Sequence, residues 1–149
     1  MAVKPVPEGY HAVTPYITIP DVAKAIEFVT RAFGATKVEA APDASGAIRH
    51  ADVMIGDSHV MFGQGSDQWP ARPGTLYLYS EDVDAMYRRA MDAGGKSLRE
   101  PTNEFYGDRS AGVEDSQGNQ WWMATHVEDV TPEEMERRMK EAWGGAERA

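Results

Sequence analysis

The chain contains no cysteine, which excludes a disulfide framework, thiolate metal ligands and a cysteine nucleophile. No apolar run approaches the roughly 20 residues of a membrane-spanning helix, and the start of the chain lacks the basic and then apolar pattern of a signal peptide. Positive charge is scarce: 15 Lys and Arg oppose 24 Asp and Glu, a net charge of −9. This excess of negative charge opposes binding to a phosphate backbone. We expect a cytoplasmic protein with neither a nucleic-acid partner nor a membrane partner.

The chain does contain an internal repeat at an offset of about 60 residues. Asp21 follows a strand-like run and precedes a helical run closed by glycine, and the same order recurs at Asp82. The segments that begin at Gly56 and Gly118 also match. Two copies at this spacing indicate a duplicated module rather than a solenoid, because solenoids usually need three or more repeats.

Each copy has the pattern of a βαβββ module. In the first copy, residues 14–20 alternate with a period of two, and Asp21 is the expected N-cap of the helix that follows. The predicted elements are a strand at 14–20, a helix at 22–32 and strands at 36–40, 48–55 and 58–63, then a strand at 75–79, a helix at 83–93 and strands at 96–99, 110–114 and 120–125, with 101–109 as a loop. The expected class is α+β, with the two modules forming one curled mixed sheet.

The domain organisation follows from the repeat and from the composition around it. Residues 1–12 form a loose N-terminal arm, and residues 13–128 form a single domain made of module 13–63, linker 64–73 and module 74–128. A helix is predicted within 129–149, because Thr131, Pro132 and Glu134 form a capping box and Gly144-Gly145 marks the end.

Several segments occur in the order seen in one known family. They are Tyr16-Ile17-Thr18-Ile19-Pro20-Asp21, Ala25-Ile26-Glu27-Phe28, Ala32-Phe33-Gly34-Ala35, Tyr106-Gly107-Asp108-Arg109, Glu114-Asp115-Ser116-Gln117-Gly118-Asn119 and Trp121-Trp122. From about residue 14 to residue 128 the chain resembles the vicinal oxygen chelate superfamily, which includes glyoxalases, extradiol dioxygenases and antibiotic-sequestering proteins. His50-Ala51 and the segment 106–109 are most similar to its PhnB-like branch. The resemblance implies the glyoxalase/bleomycin resistance fold and a homodimer.

The resemblance also bears on metal binding. Metal-dependent members place a His or Gln on the first strand of each module and a Glu on the last strand. The matching positions here are Thr14, Thr75, Val60 and Trp122, none of which is a ligand for a divalent cation. The resemblance therefore implies no metal and no other cofactor, and it argues against lactoylglutathione lyase and ring-cleaving dioxygenase activity.

The sheet face that the helices leave free is expected to form a cup that binds a ligand. By alternation, Thr14, Tyr16 and Thr18 face this cup from the first module, with Thr75, Tyr77 and Tyr79 from the second and Val60, Phe62, Trp122 and Ala124 completing the wall. Tyr106 and Arg109 in the predicted loop, and Trp69 in the linker, are further candidate contacts. An aromatic wall with a few hydroxyls suits a small planar or hydrophobic molecule, such as an antibiotic or a metabolite that the protein sequesters. The alternative is that these aromatics fill a closed core.

His50 and Asp52 carry a competing, enzymatic interpretation because they lie on the same face of one predicted strand. With His59 across the hairpin they would make a metal site, but the repeat pairs His59 with Trp121, which is expected on the helix side. His50 paired with a carboxylate would also serve as a general base, and a structural histidine is the remaining option. The alternative function is thus a lyase or isomerase that uses His50 and Asp52, with or without a divalent metal.

Overall fold

The computed structural model describes residues 2–144. The elements of this part are β1 (Tyr16–Ile19), α1 (Val22–Phe33), β2 (Thr36–Pro42), β3 (Ile48–Ile55), β4 (Ser58–Gln64), β5 (Thr75–Tyr79), α2 (Val83–Asp92), β6 (Lys96–Asn103), β7 (Asp108–Glu114), β8 (Gln120–His126) and α3 (Pro132–Trp143). No helix within residues 2–144 has the length and apolar character needed to cross a membrane.

The strands form two four-stranded sheets, with the orders β1-β4-β3-β2 and β5-β8-β7-β6. We call them sheet 1 and sheet 2. Both are mixed, because the first strand of each module runs parallel to its last strand while the other pairs are antiparallel. The α+β class, the two βαβββ modules and the C-terminal helix are confirmed. The hydrogen-bonded strands form two sheets rather than one, since β1 and β5 are edge strands, and the backbone N–H of Arg72 in the linker donates to Thr18 at the β1 edge (3.0 Å).

The helices begin where the sequence predicts. The Asp21 carboxylate accepts a hydrogen bond from the backbone N–H of Lys24 (3.1 Å), and Asp82 does the same for α2. The Thr131 hydroxyl accepts from the backbone N–H of Glu134 (3.2 Å), which confirms the predicted N-cap of α3. Gly144 follows α3 as its C-cap, and the second glycine of the predicted stop lies outside the described residues.

The predicted loop at 101–109 is mostly strand. β6 continues to Asn103 and β7 begins at Asp108, so the connection is reduced to residues 104–107. Pro101 lies in a stretch of shifted register between Arg99 and Thr102. A proline is tolerated there because an irregular ladder does not need its missing N–H.

The two modules share one hydrophobic core. Trp121 on β8 is buried, and its ring centre lies 6.2 Å and 5.2 Å from those of Phe28 and Phe33 on α1 and 6.5 Å from that of Phe62 on β4. Its indole N–H donates to the buried Asp115 carboxylate (2.9 Å). The helix-facing side of each sheet therefore belongs to this core. We call the opposite sides the open faces of sheets 1 and 2.

Candidate functional site

The open face of sheet 2 presents three large aromatic residues. Tyr77 and Tyr79 alternate with buried-side residues on β5, and Tyr77 is in register with Trp122 on β8. The two tyrosines are 44% and 64% exposed. The Trp122 ring packs on Gly112 of β7 so closely that a Cβ there would lie 2.7 Å from the indole. Because Gly112 has no side chain, the Trp122 indole packs directly on the backbone of β7.

A buried carboxylate fixes the tyrosine hydroxyls. Asp108 is 4% exposed, and one of its oxygens accepts from the hydroxyls of Tyr77 (2.8 Å) and Tyr79 (2.9 Å). Its other oxygen pairs with Nδ1 of His126 (2.9 Å), whose Nε2 lies 2.7 Å from Asp129. We call Tyr77, Tyr79, Asp108 and His126 the Asp108 cluster.

The cluster perturbs the titration of its members. Burial raises the pKa of Asp108, but hydrogen bonds from His126, Tyr77 and Tyr79 outweigh it and leave that pKa lowered. The pKa of His126 is raised by its hydrogen bonds to Asp108 and then Asp129. Burial, followed by the bond to Asp108, raises the pKa of Tyr77. Asp108 is therefore an anion, and both tyrosines are neutral phenols with fixed hydrogens.

Tyr106 joins this cluster from the loop 104–107. It lies close enough to contribute to the raised pKa of Tyr77, after burial and the bond to Asp108. Helix α3 holds the loop: the Phe105 carbonyl accepts from the Arg138 guanidinium (2.9 Å), and the Phe105 ring meets Trp143 edge-on at 5.3 Å between ring centres. The C-terminal helix therefore contributes to the placement of Tyr106.

Arg109 lies on the opposite side of sheet 2. It forms a two-pronged ion pair with Asp84 of α2, with N···O distances of 2.8 and 2.9 Å, and also donates to Asn103. The expectation that Arg109 contacts a ligand in the cup is wrong in its placement. Because β7 begins at Asp108, alternation puts Asp108 on the open face and Arg109 on the helix side.

Phe62 and Val60 also lie on the helix-facing side. In the β1–β4 register Ile17 pairs with Phe62 and Tyr16 with Met61, and Phe62 is fully buried. The prediction that Val60 and Phe62 line the cup is therefore wrong. Met61, rather than Val60, occupies the position on sheet 1 that Trp122 has on sheet 2. Ala124 does pair with Tyr79, but it is buried beneath the face.

Tyr16, Thr18 and Trp69 form a separate group at the β1 edge. They line a groove of about 520 Å³ between that strand and the linker. Tyr16 lies over Gly63, where a Cβ would overlap its ring, and its ring centre is 5.7 Å from that of His50. The predicted binding residues are thus divided between the two open faces.

His50 and Asp52 share the open face of sheet 1, as predicted, but so does His59. The β3–β4 register pairs His59 with Met54 and Asp52 with Met61, which puts all of them on one face. Asp52 is 5% exposed and bonds to His59 Nδ1 (2.7 Å) and to the Tyr10 hydroxyl. The prediction that His59 faces the helix is wrong, and the histidine partner of Asp52 is His59.

A larger groove of about 820 Å³ runs along the free edge of β5. Its wall is mostly apolar, and Val13, Pro15, Ile55, Val60 and Met86 line it together with both tyrosines of the cluster. The open face of sheet 2 therefore continues into a cavity of the size that small organic ligands occupy.

A family model matches residues 10–123 and is described as the Glyoxalase/Bleomycin resistance protein/Dioxygenase superfamily. The chain belongs to this superfamily. The curated Uncharacterized protein Mb0911c of Mycobacterium bovis is 29% identical over 145 residues, which span 90% of this chain and 95% of that protein.

Two solved structures with the superfamily fold are similar to this chain. TioX from Micromonospora sp. ML1 is 23% identical, with a TM-score of 0.68 over 78% of this chain and 99% of TioX. TnmS3, an antibiotic binding protein from Streptomyces sp. CB03234, is 22% identical, with a TM-score of 0.63 over 85% of this chain and 99% of that protein. At these identities the likeness establishes the fold alone.

The metal of the superfamily's metal-dependent members does not fit these residues. Thr14, Thr75 and Trp122 offer no carboxylate or imidazole, and neither does Met61, which the strand register puts at the fourth position. Across residues 2–144 there is no group of three or more His, Asp or Glu arranged to hold a metal ion. The side chains at these four positions therefore do not provide the ligands that a divalent cation needs.

Proposed function

We propose that this superfamily member binds a small planar aromatic molecule on the open face of sheet 2. The observation that carries the proposal is the aromatic surface formed by exposed Tyr77 and Tyr79 and half-buried Trp122, beside hydroxyls that a buried carboxylate holds in place. Large rings left outside a core that is otherwise well filled are typical of a binding surface.

The hydrogen-bonding state of the tyrosines narrows the ligand class. Each hydroxyl hydrogen is committed to Asp108, so each phenol oxygen has only lone pairs left to offer. A ligand with an N–H or O–H donor at its rim matches these acceptors, and its ring stacks on the Trp122 indole. An anionic ligand is disfavoured by the carboxylate beneath.

Similarity to an antibiotic binding protein supports an antibiotic or a related secondary metabolite as the natural ligand. In this proposal the protein sequesters the molecule without a metal, and it belongs to the PhnB-like branch of its superfamily.

Titration with 2-naphthol, a neutral planar aromatic probe with one hydroxyl donor, tests the proposed site by calorimetry. We expect saturable binding that Trp122→Ala weakens by about tenfold, since loss of a stacking ring is worth roughly 1–1.5 kcal/mol. Trp69→Ala is the matched control, because Trp69 is exposed and lines the separate groove at the β1 edge. Equal affinity in the wild type and in Trp122→Ala would place the site elsewhere.

We also propose that the protein is a homodimer, in which a second copy covers the open faces. The exposed Tyr16, Tyr77 and Tyr79 and the free edge of β5 support this arrangement. Sedimentation velocity should give a dimer mass that Tyr79→Lys shifts toward the monomer. A wild-type monomer at micromolar concentration would contradict it.

An enzymatic role through His50 and Asp52 is the competing proposal. The orientation of His59 by the buried Asp52 supports acid–base chemistry on that face, because an aspartate-held imidazole is a good proton carrier. The hemithioacetal of methylglyoxal and glutathione is a suitable test substrate, with and without added Ni²⁺. Turnover that His59→Gln and Asp52→Asn abolish would support catalysis, whereas no turnover above that of the buffer would contradict it for this substrate.

A further inference from the structure

The N-terminal arm, residues 2–12 of the described chain, contacts the open face of sheet 1 through one aromatic side chain. The Tyr10 ring stacks on the His59 imidazole with ring centres 3.7 Å apart and planes inclined by only 12°. The Tyr10 hydroxyl donates to the buried Asp52 carboxylate. The rest of the arm is exposed, so Tyr10 is its main attachment.

This contact has the features of a bound ligand. One flat ring lies on another, and one hydroxyl satisfies a carboxylate that is only 5% exposed. His59 Nδ1 satisfies the second carboxylate oxygen (2.7 Å), which fixes the imidazole plane on which the phenol rests. Neither Asp52 nor His59 comes from the arm, so sheet 1 supplies the whole receptor.

We propose that Asp52 and His59 form a second binding site, on the open face of sheet 1, for a planar aromatic molecule with a hydroxyl donor, and that Tyr10 occupies this site as a tethered ligand. This site is distinct from the proposed one on sheet 2 and uses none of its residues.

The electrostatics of the site select for a neutral phenol. Glu39 pairs with Asp52 across the β2–β3 ladder, and both carboxylates favour the protonated form of the Tyr10 hydroxyl. The hydrogen bond to Asp52 is the main cause that raises the pKa of Tyr10 to about 12. A carboxylate ligand would meet the negative charges of Asp52 and Glu39.

Tethering explains why the site is filled by the chain itself. A side chain tethered to the protein by a short arm competes at an effective concentration in the millimolar range. A free phenol must exceed that concentration, or bind with additional contacts, to displace Tyr10. The arm therefore sets a threshold for occupation of sheet 1.

The probe that tests this site is p-cresol, which is the side chain of tyrosine. In full-length Tyr10→Ala we expect saturable p-cresol binding, followed by the NMR shifts of the His59 imidazole, whose signals His59→Gln identifies. Toluene lacks the hydroxyl and should bind at least about tenfold more weakly, because a hydrogen bond to a charged acceptor is lost. 4-Methylbenzoate should not bind. The wild type should bind p-cresol at least about tenfold more weakly than Tyr10→Ala, because Tyr10 occupies the site.

Two further variants make the result decisive. Tyr10→Ala/Asp52→Asn should lose the preference for p-cresol over toluene, while Tyr10→Ala/Trp122→Ala should keep it, which separates this site from the one on sheet 2. Circular dichroism checks that each variant is folded. No saturable shift of His59 in Tyr10→Ala, or equal affinities for p-cresol and toluene in that variant, would overturn the proposal.

Discussion

Replacement of Asp108 by alanine is the sharpest test of the proposed site on sheet 2. The change removes the acceptor of both tyrosine hydroxyls and the partner of His126. Hydrogen bonds to charged groups are worth about 1.5–3 kcal/mol when buried. Tyr77 and Tyr79 are 44% and 64% exposed, so water replaces part of each bond. We expect about 1 kcal/mol for each tyrosine and roughly 2–3 kcal/mol in total once the small cavity is included.

Urea unfolding followed by circular dichroism measures this loss, and thermal unfolding should show a decrease of roughly 5–10 °C in Tm for a chain of this size. Asp108→Asn keeps one acceptor oxygen and should lose less than half as much. Asp129→Ala is the matched control, because it removes the other, fully exposed partner of His126 and should leave stability unchanged. The reasoning fails if Asp108→Ala is as stable as the wild type, or if Asp129→Ala is equally damaging.

Three other predictions follow from the same structure. Because His126 has a raised pKa and Asp108 a lowered one, the pair stabilises the fold above the unfolded pKa of Asp108, near 3.8, and below that of His126, near 6.5. The stability advantage of the wild type over His126→Gln should therefore be present at about pH 5 to 6 and shrink as the pH rises through the folded pKa of His126; an advantage that grows toward pH 9 would contradict this. Phe62→Ala should cost about 3–5 kcal/mol in urea unfolding, since it opens a cavity against Trp121, whereas a solvent-facing Phe62 would cost far less. Thr131→Ala should weaken the α3 N-cap by about 1 kcal/mol, detected as faster amide exchange in α3 but not in β8, and equal exchange in α3 would refute the cap.

The fold could be predicted well because local signals agree with one another. Aspartate caps, a glycine stop and two strands, β3 and β5, appear at the predicted residues. Local signals are least informative about register, which depends on pairing between strands. A slip of one residue moves every side chain of a strand to the other face.

That slip explains the errors on β4. The match of Gly56 to Gly118 implies an offset between the two modules that is one residue larger than the offset given by the strand registers. The difference arises because the β3–β4 turn and the β7–β8 connection differ in length. This difference accounts for the wrong faces predicted for Val60, Phe62 and His59. On β7 the predicted start of the strand is too late. A strand that begins at Asp108 puts the side chains of Asp108 and Arg109 on opposite faces of the sheet by alternation.

The polar clusters were beyond prediction for a different reason. Tyr10 lies in a segment that looks loose because it contains proline and glycine, and its partner Asp52 is 42 residues away. His126 lies 18 residues beyond Asp108. No local pattern connects such pairs, and only the folded chain brings them together.

The position of Trp121 prevents a division of the duplicated chain into two independent halves. Its indole belongs to the second copy of the repeat, yet the rings around it come from α1 and β4 of the first copy. The second copy alone would expose Trp121, and the first copy alone would expose the aromatic pocket that contains it. Neither copy is therefore a self-sufficient folding unit. Because each half supplies part of the packing that the other needs, a substitution at Phe28, Phe33 or Phe62 in the first copy acts directly on Trp121 in the second.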